Sequence, residues 1–138
     1  MIKRGWRNLL KNPKIFFNLN FETINFHFDM HHGYGNFDKA IDVLNTQDRS
    51  DFKEFINDNY SYNPHIMFIS KSYIMNKWFE NLFDWLFECE KIFGFEVLKG
   101  YDTTRLYAYL AERYLSFWFK KYTKNLSWKW IFYETEEF

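Results

Sequence analysis

Apolar residues recur at helical spacing in two long stretches, which dominate the predicted fold. From Ser72 to Phe93 the apolar positions form one broad stripe, and Gly94 is placed to end the helix. A second helix is predicted from Asp102, as its cap, to about Tyr122. Its predicted inward-facing residues are Leu106, Leu110, Tyr114, Phe117 and Trp118. We expect these two helices to carry most of the packing.

Strands are predicted in segments where the apolar residues no longer recur at helical spacing. Apolar and polar residues partly alternate over residues 15–21 and 23–28. The continuous apolar run within residues 64–70 predicts a strand buried on both faces, and residues 128–133 predict a closing strand. The expected class is therefore helix-rich α/β, with the two long helices packed on a small sheet.

Two shorter helices are predicted from capping residues. Asn36, after a glycine-containing turn, is placed to cap a helix through Asn45. Ser50 is placed to cap another helix through Asp58.

The first fourteen residues differ in charge from the rest of the chain. They carry five basic side chains and no acid, and their apolar residues have roughly helical spacing. We expect residues 1–14 to be a basic amphipathic segment, and residues 15–138 to form the folded portion. The basic segment is interpreted either as a solvated terminal helix or as a helix that docks on an anionic membrane surface.

Composition narrows the classes of function. The 138 residues carry 18 basic and 18 acidic side chains, so the chain lacks the cationic field that drives nucleic-acid binding. The single cysteine, Cys89, excludes an internal disulfide and predicts a small buried hydrophobe. Neither a membrane span nor a signal peptide is predicted. Aromatic residues make up 25% of the chain, which indicates a ring-rich core or a surface for a partner, a membrane or sugar rings.

One charged residue falls on the apolar face of the second long helix. At 100° per residue, Arg113 lies between Leu110 and Phe117. A buried guanidinium needs a partner, either a carboxylate that ties the helix to the sheet or an anionic ligand group such as a phosphate. The adjacent Glu112 is interpreted either as a general base or as a surface residue paired with Arg105.

Candidate metal ligands are concentrated just before the first glycine turn. If this segment is extended, His27, Asp29 and His31 project to one side and suit a cation. The opposite side is then an ordinary core face. His65, just before the predicted buried strand, is expected either to be satisfied by backbone or to bind a ligand hydroxyl.

Four short motifs occur along the chain in the order that a known family of domains shows. They are His27-Phe28-x-x-His31 with Asp38 beyond, Pro64-His65-Ile66-Met67-Phe68-Ile69, Trp85-Leu86-Phe87-x-x-Glu90, and Leu110-Ala111-Glu112-Arg113-Tyr114-Leu115. Together they resemble the C-terminal half of a bacterial family of glycosyltransferase-like domains, long filed as of unknown function and found in capsular and exopolysaccharide gene clusters. The family tends to have Asn where this chain has Ile66, so a hydrogen bond made by that Asn is lost or is made by His65.

The resemblance implies a partial GT-A-type fold, the acceptor-side half of an enzyme without its nucleotide-binding strands and acidic metal motif. The implied activity is sugar transfer from a nucleotide-sugar donor, with galactofuranose as one candidate sugar. Glu112 would act as the catalytic base, and Arg113 would stabilise the departing diphosphate. The implied cofactor is a divalent cation, Mn or Mg, held mainly by the missing half, with His27, Asp29 and His31 as candidate ligands here.

The remaining expectations concern substrate, partners and location. The expected substrate-binding residues are His31, His65, Tyr101, Arg105 and Tyr109. The expected partners are a nucleotide-sugar donor, a glycan or lipid-linked acceptor and an N-terminal partner domain, at the cytoplasmic face of the cell membrane. The alternatives are a non-catalytic binding or assembly module, a truncated inactive remnant of such an enzyme, or a peripheral membrane protein anchored by residues 1–14.

Overall fold

A computed structural model describes residues 23–96 and 98–127. Its helices, in chain order, are α1 (Ile24–His32), α2 (Asn36–Asp42), α3 (Thr46–Asp58), α4 (Ser72–Phe93), α5 (Tyr101–Thr104) and α6 (Leu106–Tyr122). These described residues contain no strand. The helix-rich character is thus confirmed, whereas the predicted sheet is not seen there. The predicted strands at residues 15–21 and 128–133, and the basic segment at residues 1–14, lie outside the described residues.

The strand predicted at residues 23–28 is wrong, because this segment begins α1. Thr23 caps the helix by accepting a 3.2 Å hydrogen bond from the backbone N–H of Phe26. Ile24, Phe28 and His32 are buried at a spacing of four residues, which is the helical period rather than the strand period. The segment that partly alternates between apolar and polar residues therefore also has buried residues at helical spacing, and the helical pattern is the one that the structure follows.

The strand predicted at residues 64–70 is also wrong. The segment is an irregular loop in which Phe68 alone turns inward among the apolar residues, and its ring lies 5.1 Å from that of Trp78 and 4.8 Å from that of Phe119. Met67 and Ile69 are 59% and 93% exposed. No neighbouring strand in the described residues supplies a ladder, so the apolar run has nothing to cover its second face.

The short helices begin at residues other than those predicted. Gly35, in a left-handed conformation, precedes α2. Asn36 instead donates from its side-chain amide to the backbone carbonyl of His32, 3.0 Å away. This hydrogen bond satisfies one of the carbonyl groups that lack an intrahelical partner at the C-terminal end of α1. The N-cap of α3 is Asn45 rather than Ser50, because its side-chain oxygen accepts from the N–H of Asp48 at 2.9 Å.

The bounds of the two long helices agree with the sequence pattern, but the predicted apolar stripe of α4 is only partly buried, since Met75, Phe79, Phe83 and Ile92 on that stripe are exposed. Helix α4 runs from Ser72 to Phe93 and is followed by Gly94, as predicted. Helix α6 ends at Tyr122 as predicted, but it begins at Leu106 because the short helix α5 precedes it. All the residues predicted to face inward from α6 are buried. Helix α6 packs against α3, α4 and α5, while α1 packs against α2, α3 and α5.

The aromatic residues divide between the core and the surface. Buried rings from several helices pack edge-on or tilted, with Phe52 of α3 touching Trp85, Tyr114 and Phe117. On the outer side of α4, Phe79, Phe83 and Phe87 form an exposed row whose successive ring centroids are 5.8 and 6.2 Å apart. Cys89 is buried as predicted. Among the described residues, no helix has both the length and the apolar character needed to cross a membrane.

A buried carboxylate joins α3 to α6. Asp48 is 1% exposed and accepts hydrogen bonds from Tyr114 at 2.9 Å, Lys121 at 2.8 Å and Tyr122 at 2.7 Å. Burial alone would raise the pKa of Asp48, but these hydrogen bonds hold it below its ordinary value. The buried charge is therefore fully compensated, and it fixes the C-terminal half of α6 against α3.

Replacing Tyr114 with Phe should destabilise the chain at neutral pH. The variant removes one hydrogen bond to a buried carboxylate, which is worth about 1.5–3 kcal/mol. Because the folded-state pKa of Asp48 is lowered, this stability is present above its unfolded pKa and is lost as the pH falls through the folded pKa. Urea unfolding followed by circular dichroism at pH 7 and in acid measures both effects.

The matched control is Tyr60→Phe, since Tyr60 is 71% exposed. Its unfolding free energy should change by less than about 0.5 kcal/mol. Equal effects of the two variants would contradict the structural role of the Asp48 hydrogen bonds.

Candidate functional site

Polar side chains from α1, α6 and the loop before α4 converge around one buried arginine. Helix α1 brings His27 and His32 to the guanidinium of Arg113 on α6. The loop is tied to α6 by a 2.8 Å hydrogen bond from the N–H of Asn63 to the hydroxyl of Ser116. We refer to the resulting group as the Arg113 cluster, which comprises His27, His32, Tyr62, Tyr109, Glu112 and Arg113.

Arg113 is buried, as the sequence predicted, and is 1% exposed. Its Nη1 donates to the Glu112 carboxylate and to the backbone carbonyl of Tyr109, both at 3.1 Å. Its partner is therefore the neighbouring residue of its own helix, and not a carboxylate on a sheet. Glu112 likewise forms its ion pair with Arg113 rather than with Arg105. The Nε atom of Arg113 is buried with no hydrogen-bond partner within the described part of the chain.

The other terminal nitrogen of Arg113 faces two histidines. Its Nη2 lies 3.4 Å from Nδ1 of His27 and 3.4 Å from Nε2 of His32. A guanidinium has only donors, so each of these ring nitrogens must be an unprotonated acceptor. Hydrogen bonds at both positions would require two neutral imidazoles, with the proton on Nε2 of His27 and on Nδ1 of His32.

Aromatic faces cover the guanidinium. The ring centroids of Tyr62, Phe28 and Tyr109 lie 4.3, 5.3 and 5.7 Å from its central carbon. The Tyr109 ring also stacks on His32 with centroids 3.9 Å apart. The charge is thus held in a fixed position by ring faces as well as by hydrogen bonds.

The protonation equilibria of the cluster are shifted by burial and by neighbouring charges. Desolvation, the nearby His31 and the Arg113 charge lower the pKa of His27 to about 4. Burial raises the pKa of Glu112 above its ordinary value, although the charges of Arg113, His65 and Arg105 oppose this rise. Burial also lowers the pKa of Arg113, which stays protonated at physiological pH.

Glu112 combines partial burial with access to solvent. Its side chain is 15% exposed, compared with 1% for Arg113. The hydrogen bond to Arg113 uses one carboxylate oxygen, Oε2, and does not engage Oε1. A carboxylate with a raised pKa in this position can accept a proton from a ligand hydroxyl.

The predicted metal ligands do not come together. Because residues 24–32 are helical, Asp29 turns away from His27 and His31 and accepts the backbone N–H of Gly35 at 3.1 Å. Burial raises the pKa of Asp29 to about 6. His27 and His31 do lie together, with ring centroids 4.6 Å apart. No group of three His, Cys, Asp or Glu residues among the described residues is arranged to hold a metal ion.

The predicted substrate-binding residues surround the cluster. Arg105 lies beside the rings of Tyr101 and Tyr109 and donates to the hydroxyl of Tyr101. His65 is exposed on the loop, and its charge acts on Glu112. His31 is half-buried at the edge formed by α1. The structure therefore brings most of these residues to the same side of α6 as Glu112.

Two members of the Arg113 cluster were not predicted as site residues. Tyr62 is in a polar loop, where nothing in the sequence pattern distinguishes it from Tyr60. His32 has a detectable signal, since it lies four residues after Phe28 and eight after Ile24 on the buried face of α1. This spacing was not recognised because the residues around His27–His31 were treated as extended.

The comparisons with known proteins assign the chain to a family. A family model described as a domain of unknown function, DUF4422, matches residues 7–124. The chain belongs to the DUF4422 family. The matched segment contains the whole Arg113 cluster together with Tyr101 and Arg105. No curated protein and no solved structure gives a significant match.

Removing the Arg113 charge should raise the pKa of His27. In Arg113→Gln the pKa should rise from about 4 toward the ordinary value of 6.5 without reaching it, because desolvation, the larger cause, remains. Titration of the histidine ¹H and ¹⁵N resonances by NMR measures the shift. Lys39→Gln, a loss of one exposed charge on α2, should leave the pKa of His27 unchanged.

The unsubstituted chain provides a test that does not depend on the variant folding. Two-bond ¹⁵N couplings should show the proton of neutral His27 on Nε2 and that of His32 on Nδ1. A His27 ring that is half protonated near pH 6.5, or that carries its neutral-state proton on Nδ1, would contradict the described contacts.

Proposed function

We propose that the chain is the acceptor-side portion of a glycosyltransferase that transfers a sugar from a nucleotide-sugar donor in bacterial surface polysaccharide synthesis. The observation that carries this proposal is the Glu112–Arg113 pair, a half-buried carboxylate with a raised pKa held at 3.1 Å by a buried guanidinium. The resemblance of the four sequence motifs supplies the reaction class. The proposed setting is the cytoplasmic face of the cell membrane.

In the proposed mechanism, Glu112 is the general base. Its Oε1 accepts the proton of an acceptor hydroxyl as that oxygen attacks the anomeric carbon of the donor sugar. The bond from the anomeric carbon to the leaving phosphate breaks, and the nucleoside diphosphate departs. The partial burial that raises the pKa of Glu112 makes it a stronger base than an exposed glutamate.

Arg113 has a positioning role in this mechanism. It is 1% exposed and reaches Glu112, His27 and His32. It therefore fixes the carboxylate and the neutral imidazoles instead of contacting the leaving group directly. The half-exposed rings of Tyr62 and His31 and the exposed His65 suit the mixed apolar and hydroxyl surface of a sugar.

The expected partner is a domain that binds the nucleotide sugar, because the four motifs resemble only the acceptor-side half of the glycosyltransferase-like family. The chain alone should show little transfer. Restoring transfer by adding a separately produced nucleotide-sugar-binding domain would support the proposal. Robust turnover by the chain without a partner would contradict the acceptor-side assignment.

Glu112→Gln should reduce transfer in the complemented system by about 10²- to 10⁴-fold, since general-base catalysis contributes that much. The rate of sugar transfer is measured directly from the nucleoside diphosphate released in the presence of acceptor. Glu54→Gln, an exposed position on α3, is the matched control and should retain full activity.

Three results would separate the possible functions. Full activity of Glu112→Gln would exclude Glu112 as the base. Saccharide binding that survives without any turnover in the complemented system would favour the non-catalytic binding module. Absence of both saccharide binding and turnover would contradict the proposed function as a whole.

A further inference from the structure

Helix α4 has apolar residues on two sides, and the core uses only one of them. The second side presents Phe79, Phe83 and Phe87, which recur every four residues and are 37%, 47% and 59% exposed. Their rings follow one another along the helix surface, and those of Phe79 and Phe83 are stacked. We call these three residues the α4 row. Contiguous exposed apolar surface of this kind is typical of a docking site.

Three exposed acidic side chains border the α4 row. Each lies three residues from a phenylalanine of the row and is therefore its neighbour on the helix surface. They are Glu80, Asp84 and Glu90. None of the three forms an ion pair with a described residue, and the ion pair within α4 joins Lys91 to Glu88 instead. The α4 row is therefore an apolar surface whose negative border is not compensated by the described residues.

The negative border limits what can cover the α4 row. An anionic lipid surface would bring its phosphates toward the three acids, and a second copy of the row would bring the same acids toward one another. Residues 128–138 of the chain are rich in aromatic side chains, but they carry three acids and one base. Like charges repel in each of these arrangements, so a cationic apolar occupant fits better.

Residues 1–14 have the complementary pattern. They carry five basic side chains and no acid, and Ile2, Trp6 and Leu9 recur at positions i, i+4 and i+7. Apolar anchors at this spacing are typical of a segment that lays one face on an apolar surface. The basic residues between the anchors supply the charge that the border of the α4 row lacks.

We propose that residues 1–14 dock on the α4 row of the same chain. Their apolar residues cover the three phenylalanines, and their basic residues pair with the acids of the border. Docking on α4 competes with the alternative in which the basic segment binds an anionic membrane. It involves no residue of the Arg113 cluster, so it stands independently of the proposed function.

A nitroxide label on residues 1–14 tests the proposal in the full chain. Asn8→Cys provides the attachment point, because position 8 lies off the predicted apolar stripe. A maleimide reagent should label this position selectively, since Cys89 is buried and burial raises the pKa of its thiol to about 12. The backbone amide resonances of residues 79–87 should lose most of their NMR intensity, and reducing the label with ascorbate should restore it. The loss should weaken as salt concentration rises.

Neutralising the negative border should remove most of this intensity loss. The variant that does so combines Glu80→Gln, Asp84→Asn and Glu90→Gln. The matched control neutralises three exposed acids on α2 and α3, by Asp42→Asn, Glu54→Gln and Asp58→Asn, and should keep the loss. Both variants change exposed positions only, so both should fold.

The apolar contribution is tested at the centre of the α4 row. Phe83→Ser should reduce the intensity loss, because it removes the middle ring of the row. Ile69→Ser, at a loop position that is 93% exposed, is the matched control and should leave the loss unchanged.

Contrary results would assign the α4 row to another occupant. Full intensity of residues 79–87 in the labelled chain would overturn the proposal. An equal loss in an unlabelled ¹⁵N chain mixed with a labelled ¹⁴N chain would indicate a second copy. A loss caused by nitroxide lipids in phosphatidylserine vesicles, with none from the label at position 8, would indicate a membrane. Equal losses in the two triple variants would contradict the charge pairing on which the choice of residues 1–14 rests.

Discussion

The burial of α6 on most of its sides is the constraint on which the rest of the structure depends. Residues on most sides of this helix are buried, because α3, α4, α5 and the loop before α4 pack against it, while the side that carries Glu112 is only partly covered. Its polar and charged side chains therefore cannot all reach water. Each must find a partner within the protein, and two different solutions occur along the same helix.

In the C-terminal half the partner comes from another helix. Tyr114, Lys121 and Tyr122 all bind the carboxylate of Asp48, so a single buried acid satisfies three donors and fixes the packing of α3 on α6. In the central part, Arg113 finds its carboxylate next to it in the chain and completes its surroundings with histidines and rings. The first arrangement is fully compensated and structural. The second leaves Glu112 partly exposed and chemically available, which is why we place function there.

The parts of the fold that depend on helical periodicity could be predicted from the sequence. Helix α4 and the inward face of α6 follow from apolar stripes long enough to define a period, and the burial of Arg113 follows from its place in such a stripe. Helix α1 is only nine residues long, so its pattern also fits alternation until the cap at Thr23 is recognised. The run from Ile66 to Ile69 has strand-like composition, but a strand also needs a neighbour, and no local pattern reveals whether one exists. Similarly, the need of Arg113 for an anionic partner follows from its place on the apolar face, but its pairing with Glu112 and the approach of His27, His32 and Tyr62 depend on tertiary packing.

The enclosure of Arg113 also constrains how this sequence can change over evolution. A substitution at position 113 alone leaves Glu112 without its cation and removes the donor that faces two imidazoles, so an isolated change is costly. A joint replacement of Arg113 and Glu112 by apolar residues would remove both charges together, because a well-packed apolar pair can substitute for a buried ion pair. Among relatives, positions 32, 112 and 113 are therefore expected to vary together. Lineages in which all three have become apolar would mark proteins that keep this helical scaffold without the Glu112–Arg113 pair.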